Sequence, residues 1–186
     1  AVLLIAMIMS IMGGRVIPMF TANGTGTPKV NPLNWLEKSA LGALLLVIIF
    51  NSGVLDLPDM LNAVLLFTAA LFHYIRVLRW RFWVTLRTPL VWSLHLSYAF
   101  IPTGLTLLGI NQLSDSISTS QAIHTITVGA MGLMILSMTT RVSLGHTGRK
   151  IQVGKLMTSA FIMLFIAAFI RIFGQLFISN YVLVIM

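Results

Sequence analysis

The sequence contains no cysteine and little charge: 9% of its 186 residues are charged, with 4 acidic residues against 12 basic ones. Without cysteine, this chain itself supplies no disulfide, zinc–thiolate site or iron–sulfur cluster. Hydrophobic residues make up 58% of the sequence, whereas a soluble domain has roughly a quarter of its residues charged. An ordinary soluble domain is therefore excluded, and the long apolar runs predict an all-α, polytopic transmembrane helix bundle.

Apolar stretches near the length that crosses a bilayer, about 20 residues, recur along the chain. We predict six spans, at 1–12, 37–54, 60–77, 90–110, 122–140 and 155–173, with a turn and a seventh apolar segment after Gly174. Because the first span begins abruptly at Ala1, we expect residues 1–186 to be one transmembrane domain of a longer protein. Pro102 inside the fourth span predicts a kink there. Four tryptophans near the basic loops are predicted to anchor helices at the membrane interface: Trp35, Trp80, Trp83 and Trp92.

The connecting loops alternate in charge along the chain. Loops 13–36, 76–89 and 141–155 are basic, whereas 53–59 and 111–121 carry acidic residues only. Because basic loops are favoured on the cytoplasmic side, we predict that the three basic loops are cytoplasmic and the two acidic loops external. This topology explains the net charge of +8, so we expect membrane lipid rather than nucleic acid as a partner.

Two histidines lie inside adjacent spans at similar depth from the predicted cytoplasmic side. His73 and His95 are each about six residues, or roughly 9 Å of helix, inside the membrane. Neutral imidazole is the commonest metal ligand, so this pair fits a haem between two helices or one shared metal ion. Arg76 and Arg79 would then lie beside haem propionates, and Tyr98 could donate to the ligand. The alternative is that the histidines are satisfied by backbone or water and that Tyr98 packs in the core.

The segment 121–150 contains two histidines. His124 lies where the predicted span begins at the membrane surface, and His146 lies in the basic loop that follows the span. We predict His124 and His146 as further metal ligands, with Arg141 and Arg149 as cofactor contacts, because a protein-held metal or haem needs such groups. The alternative for His146 is an exposed loop residue beside a polar turn. His124 lies at the outer end of its span, so it is too far from the inner histidine pair to share its site.

Three methionines follow His124 at helical spacing: Met131, Met134 and Met138. A ladder of thioether sulfurs suits Cu(I). Methionine also fills irregular gaps in apolar cores, so packing is the alternative reading of the same residues.

Three segments resemble the NnrS family: RVIPMFT (Arg15–Thr21), LHLSYAFIPTGLTLL (Leu94–Leu108) and HTITVGAMGLMILSMTTRVSLGHTGR (His124–Arg149). The resemblance implies a multi-pass protein of the bacterial inner membrane, associated with haem and copper and with the response to nitric oxide and nitrosative stress, often beside denitrification genes. It also implies that this chain is the C-terminal half, so that a missing N-terminal half or other membrane subunits complete the site.

The function we expect is therefore that of a haem- and copper-binding membrane protein that responds to nitric oxide. Two alternatives stay open at this stage. One is a transporter or handling protein for haem, copper or a small solute, and the other is a structural subunit of a respiratory enzyme. The sequence offers no nucleophile–base pair or carboxylate dyad, so it does not decide whether the protein is an enzyme.

Overall fold

The computed structural model describes residues 1–53, 55, 57–114 and 116–177, the last three by their backbone. Within these residues the chain forms six long helices and no strand, which confirms the predicted all-α bundle. Their bounds are α1 Val2–Thr25, α2 Asn34–Phe50, α3 Asp59–Arg79, α4 Pro89–Leu113, α5 Thr119–His146 and α6 Lys155–Phe177. The predicted seventh apolar segment and the acidic residues Asp56 and Asp115 lie outside the described residues.

The first helix is longer than predicted. We expected a span that ends at residue 12 and a loop over 13–36, but α1 continues through Pro18 to Thr25. It ends where Gly26 takes a left-handed conformation, with φ 69, and donates its backbone N–H to the Ala22 carbonyl. Glycine at this position is a common helix stop because it lacks the Cβ that opposes positive φ. The loop between α1 and α2 is therefore 26–33.

Consecutive helices run in opposite directions, so the loops fall at two ends of the bundle. The basic end holds the loops between α1 and α2, α3 and α4, and α5 and α6, and the acidic end holds the other two. At the basic end, a 3₁₀ turn at Phe82–Thr85 joins α3 to α4. It follows Arg81, whose φ of 58 is positive, a conformation that non-glycine residues adopt at a cost.

The fourth helix is the centre of the bundle and packs against α1, α3, α5 and α6. Pro89 starts it at a position where its missing N–H needs no partner, and Pro102 lies inside it. Its buried residues line most of its length and include Leu94, Ile101 and Leu105, each at most 1% exposed. Burial on several faces explains why this helix lacks a clear apolar stripe.

The fifth helix begins at a capping box, in which the Ser118 side chain accepts from the Gln121 N–H and the Gln121 side chain accepts from the Ser118 N–H. It is π-helical over Thr125–Gly132 and α-helical again to His146. In the π segment, the Thr125 hydroxyl donates to the carbonyl of Gln121, at 2.8 Å. Threonine hydroxyls can compete in this way with the backbone hydrogen bonds of a helix. Here the contact lies at the start of the π-helical segment, whose turns are wider than those of an α-helix.

Five of the helices are long and apolar enough to cross a membrane. The remaining one, α2, has 17 residues, at the short end of the range for a spanning helix. Large apolar side chains face outward along these helices, such as Ile8 at 61%, Met60 at 70% and Ile170 at 60% exposed. Such faces are expected where lipid replaces water as the surrounding solvent.

Candidate functional site

Two glycines let α1 approach the buried groups of α3 and α4 at the basic end. A Cβ on Gly13 would lie 2.8 Å from the Tyr98 ring, and one on Gly14 would collide with the Arg76 guanidinium and come within 2.9 Å of the Glu37 carboxylate. The buried polar groups that meet here are called the basic-end cluster below. Its members are Ser10, Thr21, Glu37, His73, Arg76, Trp80, His95 and Tyr98.

Arg76 is the charged centre of the basic-end cluster, and its side chain is only 1% exposed. Its Nε and Nη2 donate to the two carboxylate oxygens of Glu37, at 3.2 and 2.7 Å. Nη2 also donates to the Ser10 carbonyl, and Nη1 donates to the Tyr98 hydroxyl. The guanidinium is thus engaged by protein groups, and the predicted role of Arg76 as a propionate donor stays a prediction.

His73 is completely buried beside this guanidinium. Its Nδ1 lies 2.7 Å from the Tyr98 hydroxyl oxygen, which accepts from Arg76 and has one hydrogen that it can donate to Nδ1. In that arrangement the other nitrogen, Nε2, carries the ring proton. The Ala40 carbonyl faces the ring, but Nε2 meets no hydrogen-bond partner. His73 therefore presents a proton, not a lone pair, at its free nitrogen.

His95, at 3% exposed, has the opposite arrangement. Its Nε2 lies 2.8 Å from the Thr21 hydroxyl oxygen. When the single hydrogen of that hydroxyl is donated to the Ile17 carbonyl, at 2.8 Å, Nε2 is the donor in its contact with Thr21. Nδ1 then holds the lone pair, and it is buried without a hydrogen-bond partner. This nitrogen is the one a metal ion needs.

Trp80 connects the two histidines of the basic-end cluster. Its ring lies edge-on to His95 and Tyr98, with centroids at 6.2 and 4.6 Å, and it receives the Arg76 guanidinium at 5.3 Å. Trp80 is 4% exposed, so the prediction that it anchors the membrane interface is wrong. Trp35, in contrast, is 57% exposed, as an interface anchor would be.

His95 also lines an apolar cavity of about 410 Å³ between α3, the 3₁₀ turn and α4. The other residues of its wall are almost all apolar: Val77, Phe82, Thr85, Leu86, Trp92, Leu96 and Ala99. Sites for flat organic cofactors combine apolar walls with a few placed polar groups. The imidazole of His95 in the wall of an apolar cavity therefore fits a ligand of haem.

The structure places His124 at the acidic end, away from the basic-end cluster. Its Nδ1 lies 2.7 Å from the carbonyl of Ser120, one turn earlier. The predicted methionine ladder assumed an uninterrupted α-helix after His124, whereas the π segment has more residues per turn and changes the register. Met131, Met134 and Met138 pack against the apolar core.

The remaining predicted contacts lie around the exit of α5 at the basic end. The Arg141 guanidinium lies 3.5 Å from the centre of the Phe20 ring, a cation–π contact that ties α5 to α1. His146 and Arg149 are exposed, and neither belongs to the basic-end cluster. Among the described residues, no group of three His, Asp or Glu side chains that could hold a metal ion is found, and the roles of His146, Arg141 and Arg149 stay predictions.

The sequence analysis did not predict four members of the basic-end cluster as site residues: Ser10, Thr21, Glu37 and Trp80. Glu37 could have been found from the sequence, because it is the one acidic residue within a predicted span and needs a partner there. Thr21 could not have been found from the sequence, because its contact with His95 requires α1 to extend past residue 12.

A bundle of apolar helices with a charged and aromatic cluster buried at one end defines a multi-pass membrane protein with an internal polar site. The chain belongs to the NnrS family: the family model described as NnrS protein matches residues 1–186. The comparisons with curated proteins and with solved structures gave no match.

Proposed function

We propose that this protein is a haem-binding membrane protein of the nitric oxide response, with His95 as an axial ligand of the iron. Membership of the NnrS family supports the nitric oxide response. The single observation that supports the ligand is the buried, unpartnered Nδ1 of His95, which carries a lone pair because Thr21 accepts from Nε2. Haem supplies an iron centre at which nitric oxide binds when one axial position is open or weakly held.

The residues around His95 have separate roles in this proposal. Thr21 fixes the tautomer and the ring orientation, as partners of metal-bound histidines commonly do. Trp80 packs against the ring edge, and the apolar walls of the cavity would keep water away from a bound cofactor. Arg76 is neutralised by Glu37 and holds Tyr98 and His73 in place, so we assign it to the support of the site.

Copper binding is proposed only because the chain belongs to the NnrS family. No group of three His, Asp or Glu side chains that could hold it is found among the described residues. His124, His146, Arg141 and Arg149 stay predictions as ligands and contacts. We further propose that the protein lies in the bacterial inner membrane with the basic end in the cytoplasm, since basic loops are favoured on that side.

The test is optical. The full-length protein, expressed with ample haem and purified in detergent, should show a Soret band that shifts on addition of nitric oxide under anaerobic conditions. A colourless preparation from the same cells, or a Soret band that nitric oxide leaves unchanged, would contradict the proposal.

A further inference from the structure

A second cavity at the basic end lies between α1, α2 and α3, with loop residues 29–33 along one side. Its volume is about 630 Å³, and it shares no lining residue with the cavity beside His95. Four cations line it: Arg15, Lys29, Arg76 and Arg79. This cavity is called the basic cleft below.

The positive charge of the basic cleft is only partly compensated. Glu37 pairs with Arg76, which leaves three of the four cations without a carboxylate. Arg79 donates to the Asn31 carbonyl at 3.2 Å, a contact that binds the loop to α3 and leaves its charge in place. Arg15 and Lys29 are exposed, and among the described residues the one salt bridge is that of Arg76 with Glu37. The cleft therefore attracts an anion from outside the described residues.

The surroundings of the basic cleft indicate the level of lipid headgroups. Trp35, in the first turn of α2, is 57% exposed beside the cleft, and tryptophan concentrates where headgroups meet hydrocarbon. Ile11 and Leu41 line the wall of the cleft. Further along the same two helices, Ile8 is 61% and Leu45 is 48% exposed. An apolar surface thus leads from the cations toward the membrane interior.

We propose that the basic cleft binds one anionic phospholipid, with its phosphate between Arg15, Lys29 and Arg79 and an acyl chain along Ile11 and Leu41. Guanidinium groups pair with phosphate oxygens through two parallel hydrogen bonds, and basic pockets between membrane helices are known to bind anionic headgroups. The uncompensated positive charge of the basic cleft favours a phosphate group, and its apolar wall favours a lipid over a soluble anion. The lipid would also pack α1 against α2 and α3, the helices that hold the basic-end cluster.

Native mass spectrometry of the full-length protein in detergent tests this site. The protein is titrated with phosphatidylglycerol and, separately, with phosphatidylcholine of the same acyl chains. We expect one phosphatidylglycerol to bind in preference to phosphatidylcholine. The double variant Arg15→Gln/Lys29→Gln should bind it roughly 25-fold more weakly, at about fivefold for each charge removed.

The matched control is Arg149→Gln/Lys150→Gln, which removes two exposed charges at the same end of the bundle but outside the cleft. It should change the affinity less than twofold. Equal losses in both double variants would overturn the site, because they would show general attraction to a basic surface. Displacement of the lipid by millimolar inorganic phosphate would contradict the proposal, because it would show that the cleft binds a soluble anion rather than a lipid.

A second measurement keeps the proposal testable if the double variant does not fold. Phosphatidylglycerol with brominated acyl chains should quench the fluorescence of Trp35 in the unchanged protein at lower mole fractions than brominated phosphatidylcholine. The Trp35→Phe variant identifies the part of the signal that comes from this residue. Equal quenching of Trp35 by both lipids would contradict the proposal.

Discussion

At the scale of single residues, the two buried histidines differ in which ring nitrogen is free and what it carries. The Thr21 hydroxyl donates its hydrogen to the Ile17 carbonyl and accepts a hydrogen bond from His95. The Tyr98 hydroxyl accepts from Arg76 and so donates to His73. His95 is left with a buried lone pair and His73 with a buried N–H. The sequence predicts both residues as ligands from their depth, but the hydrogen-bond partners that separate them come from other helices.

Thr21 should control haem affinity through the tautomer of His95. Thr21→Val keeps the shape and removes the acceptor, so we expect haem affinity to fall by about 10- to 100-fold. Thr21→Ser keeps the hydroxyl and should stay near the wild type. The rate of haem transfer to excess apomyoglobin measures the rate of haem dissociation, which should rise as the affinity falls, and electron paramagnetic resonance reports the axial ligand. Unchanged ligand signals and transfer rates in Thr21→Val would remove Thr21 from the site.

The ion pair of Arg76 with Glu37 should be worth more to stability than a surface pair. Glu37→Ala leaves a buried guanidinium without its carboxylate, which costs about 3 kcal/mol, near the low end of the range because Glu37 is 24% exposed. The double variant Glu37→Ala/Arg76→Met removes the stranded charge and should unfold at higher denaturant concentration than Glu37→Ala. Unfolding in micelles, followed by circular dichroism, measures both. A double variant less stable than Glu37→Ala would contradict this account of the pair.

At the scale of elements, the sequence predicts best where a helix is uniformly apolar. The predicted spans 60–77 and 90–110 lie inside α3 and α4. The prediction is wrong for α1, because the predicted span ends at residue 12, immediately before Gly13 and Gly14, whereas the helix continues to Thr25. In the structure the glycines are instead sites of close approach, and a bundle can accommodate a proline within a membrane helix. The π segment of α5 was likewise not predicted, because the sequence was interpreted with the α-helical period of 3.6 residues per turn.

The close approach of α1 predicts opposite effects for two glycines. Gly14→Ala places a Cβ against Arg76 and Glu37, so we expect overpacking to destabilise the protein by about 1–3 kcal/mol. Gly42→Ala lies in the exposed part of α2 with nothing within 4 Å of the new Cβ, so it should be neutral or stabilise by about 0.5–1 kcal/mol. Thermal unfolding in the same detergent compares the two variants. Equal melting temperatures would contradict the packing of α1 described above.

At the scale of the whole molecule, the basic-end cluster, the cavity beside His95 and the basic cleft all lie at one end of the bundle. The sequence predicts this polarity correctly from the alternation of its loops, because charge near span ends can be read without knowing how helices pack. It does not predict which charges are buried together. The pair of Arg76 with Glu37 joins residues 39 positions apart, and that contact depends on the packing of α2 against α3.

The orientation predicted from the loops can be tested with single cysteines, since these 186 residues contain none. Lys150→Cys at the basic end should be protected from a membrane-impermeant maleimide in intact cells and labelled after lysis. Ser116→Cys at the acidic end should be labelled in both. The reverse pattern would place the basic end, and the site with it, outside the cytoplasm.

The central claim is that the free Nδ1 of His95 holds the iron of a haem. The most direct measurement is the haem content per protein of His95→Ala, compared with His73→Ala and His146→Ala prepared in parallel. We predict that His95→Ala loses the haem or its axial imidazole signal, that His73→Ala retains the signal with a less stable fold, and that His146→Ala equals the wild type. A full complement of haem with an unchanged imidazole signal in His95→Ala would contradict the claim.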